Sequence, residues 1–223
     1  CRARGILFHV DAAQSAGKLP LDVSRLPVDL LSLTAHKFYG PQGIGALCIA
    51  SRPGCGVKPL LHGGEQERRL RPGTEPVALI AGFGKAAELA RERMDRDQAH
   101  VRLLCDRLWA GIADLPGLRR NGSREQHYPG ILNVSAEGVE GESLLLALEP
   151  LCVASGSACN TPSGEASPVL RAMGLDDLAA QSAIRFSFGR GTTADDIGCA
   201  RAIYRAAVGR LRAISAPTRA IEA

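Results

Sequence analysis

Residues 30–50, LLSLTAHKFYGPQGIGALCIA, place Lys37 at the end of an apolar run, four residues ahead of a glycine-rich turn and a second apolar run. Lysine is scarce here. Of 27 basic residues only Lys18, Lys37, Lys58 and Lys85 are lysines. Working outward, GILFHV (5–10), VDLLSLT (28–34) and IGALCI (44–49) are short apolar runs bounded by turn residues, and they predict three buried strands. AAQSAGK, between the first two, predicts a short helical crossover. The pair is then parallel, within an α/β layer.

Residues 51–74 are rich in Gly, Pro and Arg without periodicity, which predicts a long surface loop of the kind that carries function. Residues 76–113 hold helical spacing with few breakers. LPGLRRNG marks a turn, and a second α/β cycle follows it. Strands are expected at 130–135, 151–154 and 183–188, and helices at 141–149, 166–173 and 193–213. The restart of strand–helix alternation predicts two domains: residues 1–94 as part of one α/β domain, and 95–223 as a smaller C-terminal α/β domain.

With 223 residues and 45% apolar composition, the chain can bury a real core. A net charge of +4, with the arginines spread along the chain, argues against nucleic-acid binding. No apolar run approaches a membrane span. The start CRARGILFHVDAA has neither Met nor signal pattern, and the chain is read as part of a longer polypeptide. Seven scattered cysteines argue against a disulfide framework and for a reducing cytoplasm. Without C-x-x-C or zinc spacing, most are expected to be buried hydrophobes.

Ligands of parallel sheets gather at the carboxyl ends of strands. Asp11 and Lys37 fall at two such ends, with Gln14, Thr34 and His36 close in sequence. Pyridoxal 5'-phosphate requires this set. Its aldehyde needs a lysine, its pyridine nitrogen a carboxylate, its ring oxygen a donor, and its phosphate hydroxyl and imidazole groups. Any one of these residues alone reads as a helix cap or a solvated strand end; together they read as a site.

HVDAAQSAGKLPLDVSRLPVDLLSLTAHKFYGPQGIGAL closely resembles the cofactor-binding stretch of the cysteine desulfurases, pyridoxal-phosphate enzymes of aminotransferase class V and fold-type I. The resemblance continues through GGEQERRLRPGTEPVALIAGFGKA, ILNVSAEGVEGESLLLALE, CVASGSACN and SAIRFSFGR, and is nearest the iron–sulfur assembly and nitrogen-fixation branch. It implies that Lys37 carries the cofactor, Asp11 meets the pyridine nitrogen, Gln14 the ring oxygen, and Thr34 and His36 the phosphate. Thr34 stands where serine is usual and keeps the hydroxyl. Thr74, in RPGT, matches a threonine that reaches the phosphate of the other subunit, which implies a homodimer. Arg185, in AIRFS, matches the arginine that grips the substrate carboxylate.

ASGSACNTPSGEASPVL, residues 154–170, is small and polar, the composition of a flexible loop. Cys159 in GSAC matches the sulfur-accepting cysteine, with Asn160 in place of the usual serine or threonine. Cys152 is expected to pack structurally. The implied reaction converts L-cysteine to L-alanine, with a persulfide on Cys159 and delivery to an iron–sulfur scaffold or other acceptor. Cys159 is also a candidate transient iron–sulfur ligand. The family's upstream ring-stacking histidine, asparagine and phosphate loop have no match among His9, His62, His100 or His127, so the cradle in this chain is expected to be partial. Three rivals remain: a selenocysteine lyase or other class V enzyme, a silent sulfur-relay scaffold, and a metal-binding module.

Overall fold

The computed structural model describes residues 1–52, 54–155 and 166–215. The chain divides into two compact units, Cys1–Asp95 and Arg96–Ala223.

In the first unit β1 (His9–Asp11), β2 (Leu30–Thr34) and β3 (Gly45–Ile49) form a sheet in that order. β1 and β2 are parallel, with Asp11 opposite Ser32. β2 and β3 are antiparallel, with Thr34 opposite Gly45. Asp29 staples the base of all three strands. Buried to 2% exposure, it accepts from Phe8 N at 2.7 Å and pairs with Arg52, while its carbonyl accepts from Ala50 N at 2.9 Å. These contacts hold its carboxyl below the usual carboxylate range: first the Phe8 amide, then the Arg52 guanidinium.

The sheet departs from expectation at its edge. Only His9 and Val10 of the run 5–10 pair as a strand, continued by Asp11, and Ile6, Leu7 and Phe8 are exposed. β3 is exposed from Gly45 to Cys48. A strand is buried only when another layer covers it, and among the described residues nothing covers these. The expected helical crossover is a series of turns over 13–18 instead. Gly17 lies at φ 70, and this left-handed step stops helix propagation after one turn.

α1 (Val77–Ala110) is one helix of 34 residues, matching the expected run. Its first half packs Ala86, Ala90 and Phe83 against Ala16, Phe38, Leu21 and Leu33. The second unit holds an antiparallel sheet, β4 (Leu118–Arg120), β5 (Ile131–Ala136) and β6 (Ile184–Ser187), in that order. β4 lies inside what the sequence marks as a turn; three residues are too short for alternation to register. α2 (Gly141–Ala147), α3 (Pro168–Ala172), α4 (Asp177–Gln181) and α5 (Ala194–Ser215) complete it. α4 was not expected, and its N-cap is Asp176, which accepts from Ala179 N. Val101, Leu104, Leu108 and Ile112 recur at helical spacing and meet Leu132, Val134, Ile184, Phe186, Leu144, Tyr204 and Val208 in one core.

The expected strand 151–154 does not form. Leu151 N and Val153 N bond back to Leu148 O and Leu151 O, so only Ala154 reaches β6, as a single bridge to Arg185. Cys152 is consequently exposed and not packed. Most other described cysteines also depart from expectation. Cys105 is buried, its thiol pushed up chiefly by that burial, while Cys55 is half-buried and Cys1, Cys48 and Cys199 are exposed. Cys48 lies in the uncovered strand β3, Cys1 precedes the 3-10 turn Arg2–Arg4, and Cys199 lies on α5 beside its buried Ile197, Ala200 and Tyr204.

Candidate active site

β2 ends at Thr34 and the chain enters a 3-10 turn, Ala35–Phe38. A period of three puts Ala35 and Phe38 on one face and His36 and Lys37 on the others. The burial follows: Ala35 is fully buried and Phe38 nearly so, whereas His36 and Lys37 are exposed. Tyr39, at φ 70, closes the turn, and Gly40 N donates to Ala35 O at 3.0 Å. A Cβ on Gly40 would lie 2.8 Å from the Ala35 Cβ, so this approach requires glycine. The apolar plug on either side of Lys37 is what turns its amine outward.

Asp11 ends β1, the parallel neighbour of β2. Its Oδ1 accepts from Ala13 N at 2.8 Å, an Asx-type turn that fixes the carboxylate at the strand end. Gln14 follows in the same turn and accepts at Oε1 from Lys18 Nζ at 2.7 Å. Thr34 Oγ1 and His36 Nδ1 lie 3.0 Å apart. The structure therefore brings Asp11, Gln14, Thr34, His36 and Lys37 to the carboxyl end of one parallel strand pair.

These residues suit pyridoxal phosphate. A carboxylate, a carboxamide, a primary amine and a hydroxyl–imidazole pair supply each kind of group that the pyridine nitrogen, ring oxygen, aldehyde and phosphate require.

Thr74 is exposed in the loop before α1. Gly73, at φ 111, donates its N–H to Gln66 Oε1 at 3.1 Å, while Arg71 Nη1 donates to Gly73 O at 3.2 Å. Both bonds tie the backbone that carries Thr74. Glu67, Arg68 and Arg69 all take positive φ in the preceding turn, a strained run for residues with side chains.

Arg185 is the second residue of β6. Its backbone N donates to Ala154 O at 2.7 Å and its carbonyl accepts from Ala154 N at 3.3 Å. Its Nε is buried and has no partner among the described residues. A buried charged donor without an acceptor is costly, and a ligand carboxylate would satisfy it. Cys159 lies outside the described residues. Among the described residues, no group of three or more His, Cys, Asp or Glu side chains could hold a metal.

Sequence reading missed Lys18 as the partner of Gln14 and Gln66 as the tie on Gly73. The i,i+4 spacing within QSAGK could have flagged the first. The second needs the loop's tertiary path.

Residues 1–199 match the aminotransferase class-V family. The chain is 52% identical over 215 residues to cysteine desulfurase IscS of Serratia proteamaculans, and 53% identical to that of Colwellia psychrerythraea. Each match spans 96% of this chain and 53% of the relative, so the chain spans about half the length of the curated relatives it matches. Among solved structures, a NifS-like protein from Rickettsia africae superposes with a TM-score of 0.82 at 25% identity, over 93% of this chain and 55% of that one. The architecture is the mixed α/β one of fold-type I, with one domain represented in part. By the match over most of its length, the chain belongs to the aminotransferase class-V family.

Proposed function

We propose that the protein is a cysteine desulfurase that binds pyridoxal 5'-phosphate on Lys37 and converts L-cysteine to L-alanine with transfer of sulfur to Cys159. One observation carries the reading: Asp11, Gln14, Thr34, His36 and Lys37 meet at the carboxyl end of the β1–β2 pair. The similarity to desulfurases over 96% of the chain supports it.

When bound, the cofactor supplies an electron sink that makes the α-proton of an amino acid removable. Lys37 Nζ is the base for that proton. Asp11 holds a proton on the ring nitrogen, Gln14 donates to the ring oxygen, and Thr34 with His36 binds the phosphate. Thr74 serves the phosphate of a second subunit in a homodimer. Arg185 pairs with the substrate carboxylate through its forked guanidinium. The Cys159 thiolate attacks the substrate sulfur, forming an S–S bond as the substrate C–S bond breaks. The electron pair of that C–S bond passes to the substrate carbon, which takes a proton as alanine forms. The resulting persulfide is handed to an iron–sulfur scaffold or another sulfur acceptor, in the cytoplasm. Transient ligation of an iron–sulfur cluster by Cys159 belongs to the same handover.

Borohydride reduction of the protein loaded with pyridoxal phosphate, followed by peptide mapping, should place the pyridoxyl group on Lys37. A label on Lys18 or Lys58 would overturn the assignment. Cys159→Ser should retain the spectral response to L-cysteine yet form no persulfide and essentially no alanine. Alanine release at the unsubstituted rate would favour a plain lyase, the selenocysteine lyase among them.

A further inference from the structure

Gln14 is exposed in the turn after Asp11, and its carboxamide has a donor end and an acceptor end that differ only in orientation. Lys18 settles that orientation. Lys18 Nζ lies 2.7 Å from Gln14 Oε1. An ammonium carries three donors and no acceptor, so only the carbonyl end of the amide can face it. The amide NH2 is thereby directed away from Lys18.

Lys18 is not an ordinary surface lysine. It is half-buried, and its ammonium is pushed below the usual lysine value, first by that burial and second by the positive charge of Lys37. The backbone brings it there. Gly17, at φ 70, sits so close to Phe38 that a Cβ would lie 2.6 Å from the Phe38 Cβ. The residue before Lys18 therefore rests against the residue after Lys37.

We propose that Lys18 is a positioning residue of the cofactor site: by holding the Gln14 carbonyl, it keeps the Gln14 NH2 turned toward the ring oxygen of bound pyridoxal phosphate. This rests on the reading that Lys37 carries the cofactor. Lys18 touches no reacting atom and acts through Gln14. Without it the amide can turn its carbonyl toward the ring oxygen, where two acceptors repel.

A donor at the ring oxygen favours the ionised oxygen, so its loss moves the pH midpoint of the cofactor's visible band upward. In the loaded protein, Gln14→Ala and Lys18→Met should each raise that midpoint by about one unit, a tenfold change in the equilibrium. Lys18→Arg, which keeps a donor for Gln14, should stay near the unsubstituted value. The deciding measurement is the double variant. If Lys18 acts through Gln14, Lys18→Met adds little to Gln14→Ala. A Lys18→Met shift of the same size in both backgrounds would assign its effect to charge on Lys37 and overturn the proposal, as would an unmoved midpoint in Lys18→Met. Borohydride mapping on the unsubstituted protein separates the two layers. Absence of label on Lys37 sinks the cofactor reading itself, whereas label on Lys37 with additive variants sinks only the role of Lys18.

Discussion

The guanidinium of Arg185 has a buried Nε with no partner among the described residues, while its backbone is fully engaged by Ala154. A ligand carboxylate would satisfy that Nε, the role proposed above for the substrate. Arg185→Gln should raise KM for L-cysteine by about 10- to 100-fold, the loss of one charge-assisted hydrogen-bond pair. The visible spectrum of the bound cofactor should stay unchanged. Steady-state kinetics beside an absorption spectrum checks both, and an unchanged KM would move Arg185 to a structural role. Tyr204 presents the opposite case. It is fully buried against Phe186, with ring centroids 5.6 Å apart in an edge-on arrangement, and its hydroxyl meets no partner among the described residues. Burial drives the phenol far above its usual value, so it stays neutral. Tyr204→Phe keeps the ring and removes an unsatisfied group, and should leave stability unchanged or raise it by about 1 kcal/mol. Thermal denaturation decides it.

At the scale of elements, the candidate site depends on the 3-10 turn after β2, and that turn depends on close approach. Gly17 admits Phe38, and Phe38 buries its ring 5.6 Å from Phe83 of α1. Gly17→Ala adds a Cβ at φ 70 and at 2.6 Å from Phe38, two penalties at one position. It should lower stability by about 1–3 kcal/mol and weaken cofactor binding, since Phe38 cannot move without Lys37. Chemical denaturation and a cofactor titration measure the two effects, and loss of stability with intact affinity would uncouple the plug from the lysine. The helices of the second unit show how local chemistry fixes ends. Ser167 with Pro168 opens α3, and Glu140 accepts from Glu142 N and Ser143 N to open α2. At α5, Thr193 and Asp196 exchange hydrogen bonds as a capping box.

For the whole molecule, the second unit carries a continuous core, whereas the first keeps Ile6, Leu7, Phe8 and Leu47 exposed beside its sheet. Acid should act on the second unit through His127. Its Nε2 accepts from Arg120 Nη2 at 2.9 Å, so the ring is neutral there. Burial first, then the charges of Arg120 and Arg102, lower its pKa below the ordinary 6.5. The folded state thus binds fewer protons than the unfolded one. This contribution to stability is fully present above pH 6.5 and is lost as pH falls from there toward the lowered folded value. His127→Gln, which keeps an acceptor for Arg120, should flatten the fall of melting temperature as pH drops below the ordinary histidine value of 6.5. An equal slope in both proteins would place the acid sensitivity elsewhere.

The sequence alone determined whatever is local or periodic. Apolar runs located β2, β3, β5 and β6, helical spacing gave α1 and α5, and the juxtaposition of Asp11, Gln14, Thr34, His36 and Lys37 followed from two strand ends and the parallel pairing between them. Features set by the folded path of the backbone, whether by a distant partner or by a local turn, were not legible. β4 exists because β5 offers it a partner, and residues 151–154 fail as a strand because turn bonds to Leu148 and Leu151 hold the backbone. The exposure of β1 and β3 depends on which layers surround them, a quantity that hydrophobicity along the chain does not contain. Which end of the Gln14 amide faces Lys18 is settled by the folded turn: the i,i+4 spacing offers the pair, and the turn through Gly17 at φ 70 brings the Lys18 ammonium within 2.7 Å of the carbonyl.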